Sequence, residues 1–166
     1  MRQTRINLSD NTRKTSIDLL QKALADAVDL RLAVKQAHWT VRDGRFQQLH
    51  AFFDSIVGPL DDEIDTMAER IATLGGVPDG RAVTAGSTSR LAEYGLETVS
   101  GDAHLEALAD RFATLGNQIR ADIDAADAAG DADTADIFTA TSRYLDQTVW
   151  FLEAHLPENH ITQKSA

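Results

Sequence analysis

Residues 38–70 read HWTVRDGRFQQLHAFFDSIVGPLDDEIDTMAER, and the fold of the whole chain turns on this stretch. Arg42-Asp43-Gly44 supplies a tight turn, and from Arg45 onward apolar residues return at spacings of three and four. Leu49, Phe53, Ile56, Leu60, Ile64, Met67 and Ile71 therefore share one stripe of a helix predicted over 45–74. A second stripe of the same helix carries His50, Asp54, Asp61, Asp65 and Glu69. With His50 at zero and about 100° per residue, the four acids fall at roughly 40°, 20°, 60° and 100°, while the apolar set centres near about −80°. The histidine and acid stripe thus sits on an outer face, away from the helix's own core. Ala51, Ser55 and Gly58 lie beside it, small enough to let another helix approach. An acidic stripe beside small residues reads as an interface more than as open surface.

Working outward, the same periodicity predicts a first helix over about 11–41, with Ile17, Leu20, Leu24, Ala27, Val28 and Val34 facing in and Asp10 as N-cap. A third helix is predicted over 102–129, through Leu105, Leu108, Ala109, Phe112, Leu115 and Ile119, and a fourth over 134–156, through Ile137, Phe138, Leu145, Val149 and Leu152. Gly and Pro cluster at 74–101, where a short helix is expected near 89–94. The connections run short, long, short. That order predicts an all-α fold, a ferritin-like four-helix bundle with a short helix in the long loop, its second and third helices parallel.

Composition sets the limits. A length of 166 residues predicts one domain over 1–166, with short tails at 1–10 and 157–166. The absence of cysteine excludes thiol catalysis, thiolate metal sites and disulfides. The N-terminal sequence has no apolar signal core and no run approaches a membrane span, so a soluble cytoplasmic protein without membrane partners is expected. A formal charge of −10 repels a nucleic-acid duplex and suits cations, as well as plain solubility.

His50/Asp54 and Asp65/Glu69 are each pairs at i, i+4, and each could chelate from one helix face. Their centres stand about 22 Å apart at 1.5 Å rise per residue, so they cannot share an ion within one chain. Two copies of this helix crossing antiparallel about a two-fold axis near Pro59–Leu60 would bring the first pair of one copy to the second pair of the other. Pro59 is expected to bend the helix at that midpoint. His38 lies across the short turn from His50 and can join the cluster. Two imidazoles and three carboxylates suit iron, manganese or zinc. Each element alone has an ordinary reading: a helix-end histidine, a first-turn pair, a solvated acidic face. Their joint spacing favours metal. The inward Glu-x-x-His pattern of common di-iron bundles is absent, because Glu63, Glu69, Glu93, Glu97, Glu106, Glu153 and Glu158 all lack a histidine three residues on.

The segments KQAHWTVR, LHAFFD, DEIDTMAERIATLGG, LADRF, DADTADIFTATSR and LDQTVWFLEAHL resemble the Dps family of miniferritins over nearly the whole chain. The resemblance implies a homo-dodecamer built from two-fold dimers. It implies an iron oxidation site with His38, His50 and Asp54 from one subunit and Asp65 and Glu69 from its mate, and Trp39 beside it. It implies oxidation of ferrous iron, preferably by hydrogen peroxide, with one or two irons at each centre and storage as ferric mineral. Asp131, Asp133 and Asp136 match an acidic three-fold pore for iron entry, though Asp133 also reads as a helix N-cap. Family members that bind DNA do so through Lys-rich tails. Here the N-terminal segment offers Arg2 and Arg5 and the C-terminal one Lys164, which argues against direct DNA binding, while a nucleoid location stays open beside the cytoplasmic one. Two other readings stand beside the ferroxidase: a nucleoid-associated structural protein with little ferroxidase activity, and a dimer holding zinc structurally. His104, His155 and His160 receive no role, and Trp150 is expected in the core or an interface.

Overall fold

The structure of the protein, a computed structural model, describes residues 1–157. His160, Glu158, Lys164 and most of the expected C-terminal tail lie outside the described residues. Six helices follow in order: α1 Asp10–Thr40, α2 Phe46–Ser55, α3 Val57–Thr73, α4 Ala82–Thr88, α5 Gly101–Ala128 and α6 Ala132–Glu153, with no strand among the described residues. The helix predicted over 45–74 is therefore bent, and its two halves are α2 and α3. The bend falls at Ile56, earlier than the Pro59 midpoint. Proline lacks an N–H and its ring collides with the carbonyl four residues back. For Pro59 that carbonyl belongs to Ser55, the last residue of α2.

The contacts at the two ends of the bundle give the helix directions. At one end, Asp43 in the α1–α2 turn accepts the N–H of Gly101, and Arg45 bonds both Asp43 and Asp102. The start of α5 thus sits beside the start of α2, and those two run parallel, as the long connection predicts. At the other end, Thr12 donates to the Ala129 carbonyl, Ser16 to Asp131, and Arg70 of α3 to Asp131. The start of α1, the end of α3 and the start of α6 therefore meet. Four rods, α1, α2–α3, α5 and α6, close a ferritin-like bundle.

The core is the one the periodicity predicts. Leu20, Leu24, Ala27, Val34, Leu49, Phe53, Leu60, Met67, Ile71, Leu105, Leu108, Phe112, Leu115, Ile119, Phe138, Leu145 and Leu152 form one buried cluster. Ile17, Val28, Ile64, Ile137 and Val149 pack on it partly exposed. Two local expectations are corrected. Ser9, not Asp10, caps α1, accepting the Thr12 N–H at 3.0 Å. The short helix occupies 82–88 rather than 89–94, because Ala85 is buried against α1 while Ser89 and Arg90 leave the helix to bond Asp29 and Asp26. The short N-terminal tail docks on the bundle: the Arg2 N–H bonds the Gly75 carbonyl at 2.6 Å and Arg13 reaches the Arg2 carbonyl. Gly75 meets this strap at φ +88, a backbone shape that favours glycine, with its Cα facing the Arg2 carbonyl. No helix among the described residues is long and apolar enough to cross a membrane.

Candidate metal centre at the turn between α1 and α2

The turn at 41–45 reverses the chain and sets the last turn of α1 against the first turn of α2. His38 and His50 stack there, with ring centroids 3.7 Å apart and planes 22° from parallel. Each clasps the other's backbone: His38 Nδ1 lies 2.8 Å from the His50 carbonyl, and His50 Nδ1 lies 2.7 Å from the His38 carbonyl. A carbonyl only accepts, so both Nδ1 atoms carry the proton. In the neutral form of each ring the lone pair therefore sits on Nε2, which has no hydrogen-bond partner among the described residues. Neutral imidazole with Nδ1–H on a carbonyl is how ligating histidines are commonly fixed. Phe46 stacks on the outer face of His50 at 5.0 Å and holds that ring in place.

Asp54 sits one turn beyond His50, exposed, with an oxygen 4.0 Å from His38 Nδ1. Its carboxylate is held by Lys35, whose Nζ is 2.8 Å away. That hydrogen bond and the ammonium charge hold the carboxyl below its ordinary range. Lys35 also stands 5.8 Å over the ring of Trp39, one turn along α1. Trp39 itself is 66% exposed, beside the histidines and outside the core.

Asp65 and Glu69 lie on α3, beyond the bend, exposed and without an ion pair among the described residues. Like charges at i, i+4 repel by about 0.2–0.5 kcal/mol in a helix. Asp61, also in this stripe, is taken by Arg31 at 3.0 Å. Ala51, Ser55 and Gly58 between the two halves are exposed, as the helical count requires. The structure therefore brings His38, His50 and Asp54 together and leaves Asp65 and Glu69 apart from them. Among the described residues of a single chain no group of three or more His, Asp or Glu is placed so that it could hold a metal ion. One chain presents His38, His50 and Asp54 as one group and Asp65 with Glu69 as another.

A ferritin-like domain model matches residues 17–159. A DNA protection during starvation protein of Agrobacterium fabrum is 42% identical over 156 residues, covering 94% of this chain and 96% of the relative. The chain belongs to the Dps family. Among solved Dps structures, DpsC from Streptomyces coelicolor superposes with a TM-score of 0.90 at 28% identity, over 95% of this chain and 92% of that one. Mycobacterium smegmatis Dps does so with 0.90 at 30% identity, over 99% and 100%. A Vibrio cholerae Dps protein, 26% identical with a TM-score of 0.87 over 95% and 98%, is described as belonging to a broad superfamily of ferritin-like diiron-carboxylate proteins.

At the far end of this Dps chain, Asp131 does not present its carboxylate to solvent. It is 2% exposed and caps α6, accepting from the Thr134 N–H, the Ser16 hydroxyl and Arg70. Asp133 is thus a first-turn residue and not the cap, and it and Asp136 are the exposed members of the expected pore set. Of the two places expected for Trp150, core or interface, the core is ruled out: it is 62% exposed against Phe151. Two features were not found by reading the sequence. Lys35 stands three residues before His38 and four before Trp39, a spacing that could have pointed to it. His104 is fully buried with Tyr94, a pairing across a loop that no local pattern announces.

Proposed function

We propose that this Dps chain oxidises ferrous iron at sites shared between two subunits and stores the ferric product inside a hollow homo-dodecamer, sparing DNA from iron-driven radicals. The observation that carries the reading is the reciprocal histidine clasp, which leaves two imidazole lone pairs beside Asp54 on the face that also bears Asp65 and Glu69. On this reading His38, His50 and Asp54 of one subunit bind the substrate ion together with the partner subunit's Asp65 and Glu69. Mixed nitrogen and carboxylate donors suit both oxidation states of iron, and the carboxylates favour the ferric product more strongly. Hydrogen peroxide is the proposed oxidant: two ferrous ions give one electron each, the O–O bond breaks, and two hydroxides result. Iron and peroxide are then consumed together. Zinc would enter the same donor set as an inert substitute. Asp133 and Asp136 at the start of α6 are proposed to draw cations toward the cavity.

Direct DNA binding is not part of this function. The charge of −10 opposes it, and Arg2, one of the few N-terminal cations, is engaged with the carbonyls at the end of α3. The experiment mixes metal-free protein anaerobically with ferrous iron, then adds peroxide and follows ferric absorbance. Fast oxidation should be lost in both His50→Ala and Asp65→Ala with assembly unchanged. Wild-type rates in either variant would remove the shared site.

A further inference from the structure

His104 is fully buried, and its side-chain hydrogen bonds go to Tyr94 and Thr40 rather than to His38, His50 or Asp54. Its Nδ1 lies 2.6 Å from the Tyr94 hydroxyl and its Nε2 lies 3.3 Å from Thr40 Oγ1. Thr40 spends its one hydroxyl proton on the Gln36 carbonyl at 2.7 Å, so its oxygen accepts from His104. Nε2 therefore carries the imidazole proton, Nδ1 is a bare lone pair, and Tyr94 donates to it. Burial keeps this imidazole neutral by lowering its pKa. On the other side, the guanidinium of the buried Arg111 stands 5.8 Å over the Tyr94 ring. A ring facing a buried cation resists becoming a cation itself. An electron leaves Tyr94 easily only if the phenolic proton leaves too, and a base stands ready for it.

The chain holds its own control. It has two tyrosines, and Tyr144 donates to the Ile56 carbonyl at 2.8 Å. Both phenols are pushed upward by burial, but a carbonyl cannot take up the proton. Tyr94 is also reachable: it lines a surface cavity of about 550 Å³ with Asp29, Leu32, Gln36 and Ser89.

We propose that Tyr94 and His104 form a proton-coupled redox pair that quenches one-electron oxidants, the hydroxyl radical above all, entering this cavity. The radical takes one electron from Tyr94 and becomes hydroxide. The phenolic O–H bond breaks and its proton forms an N–H bond at Nδ1, leaving a neutral phenoxyl radical against an imidazolium. A one-electron reductant resets the pair: the electron returns to the ring, the proton returns to the phenol oxygen, and the donor is oxidised. Ferrous iron as that donor rests on the proposed function; the pair's own chemistry does not.

The test needs no iron. Metal-free assembled protein is oxidised with azide radicals by pulse radiolysis, and phenoxyl absorption and paramagnetic resonance are recorded. The phenoxyl signal should appear in the wild type and in Tyr144→Phe and vanish in Tyr94→Phe. It should be lost or slowed in His104→Gln, which keeps a hydrogen-bond acceptor but no base, and its formation should slow in D2O. A phenoxyl signal surviving in Tyr94→Phe, or an assembled His104→Gln with wild-type yield and rate, overturns the proposal. If His104→Gln does not assemble, the solvent isotope comparison decides: an unchanged rate in D2O also overturns it.

Discussion

Replacing Asp131 with alanine separates a pore residue from a structural one. In the structure its carboxylate is a hub: it caps α6 through the Thr134 N–H at 3.1 Å, accepts the Ser16 hydroxyl at 2.7 Å, and pairs with Arg70 at 2.6 Å. The side chain is 1% exposed and that of Arg70 10%. Loss of an N-cap costs about 1 kcal/mol. Breaking a buried ion pair from one side costs about 3–5 kcal/mol, because the remaining charge stays buried without its partner. The two losses share one group and do not add, so about 3–5 kcal/mol is expected. At about 2–4 °C per kcal/mol for a chain of this size, the melting temperature falls by roughly 6–20 °C. Asp131→Asn keeps the cap but not the charge and should fall between. Burial pushes the Asp131 carboxyl up, but the hydrogen bonds from Ser16 and Thr134 and the Arg70 charge outweigh it and hold the pKa below the ordinary value. The stabilisation is therefore complete above the ordinary carboxylate range and is lost as pH falls through the depressed value. Calorimetry of the metal-free protein against pH should show the wild type losing more stability on acidification than Asp131→Ala. By contrast, Asp133 is 83% exposed and 3.6 Å from Arg70, a surface pair worth about 0–1 kcal/mol. Asp133→Asn with Asp136→Asn should leave melting nearly unchanged and slow iron uptake. An Asp131→Ala protein that melts like the wild type but takes up iron slowly would refute this reasoning.

Two further predictions concern charges. Lys35→Gln removes the cation that holds Asp54, so the Asp54 carboxyl should return toward its ordinary range and metal-free protein should bind zinc, a redox-silent probe, more tightly in a calorimetric titration; unchanged affinity would show that Lys35 does not compete with the metal. Burial raises the Asp122 carboxyl, and its Oδ2 has no partner among the described residues. The native state therefore holds this proton longer than the unfolded chain does, and stability drains away as pH rises from the ordinary carboxylate range through the raised value. Asp122→Asn should melt higher than the wild type at neutral pH, with the gap closing in acid; equal melting curves at both ends would contradict it.

What the sequence made legible was whatever repeats along one helix. The apolar stripe of α2–α3 was readable because Leu49, Phe53, Leu60, Met67 and Ile71 bury one face. The acidic stripe was readable for the same reason, since a helical count places Asp54, Asp65 and Glu69 outside without any tertiary knowledge. Decisions between neighbours were not readable. Ser9 and Asp10 are both capping residues, and the choice depends on where Thr12 finds its acceptor. The short helix was misplaced because its end is fixed by Asp26 and Asp29 of α1, bonded to Arg90 and Ser89 some sixty residues away. Asp131 carries the same letter whether it is exposed or caps a helix, and its burial against Ser16 and Arg70 could not be read from the letter.

The histidine clasp also explains why the proposed chemistry should depend on assembly. His38 and His50 are held by each other's backbone carbonyls, so their geometry needs no metal and no partner. A single chain then offers two imidazole nitrogens and one carboxylate already occupied by Lys35, a weak trap for a hard ion. On the proposed reading, the two unpaired carboxylates of the partner's α3 supply what is missing, oxygen donors and negative charge, and they do so only where two chains meet. Repulsion between Asp65 and Glu69 would be relieved by the same event. Metal binding and dimer formation would then favour each other, each strengthening the other by the same factor. A dimer stabilised by zinc in the wild type, but not in Asp65→Ala, is the expected sign of that coupling in sedimentation at dilution. Equal stabilisation in both would mean that the metal binds elsewhere.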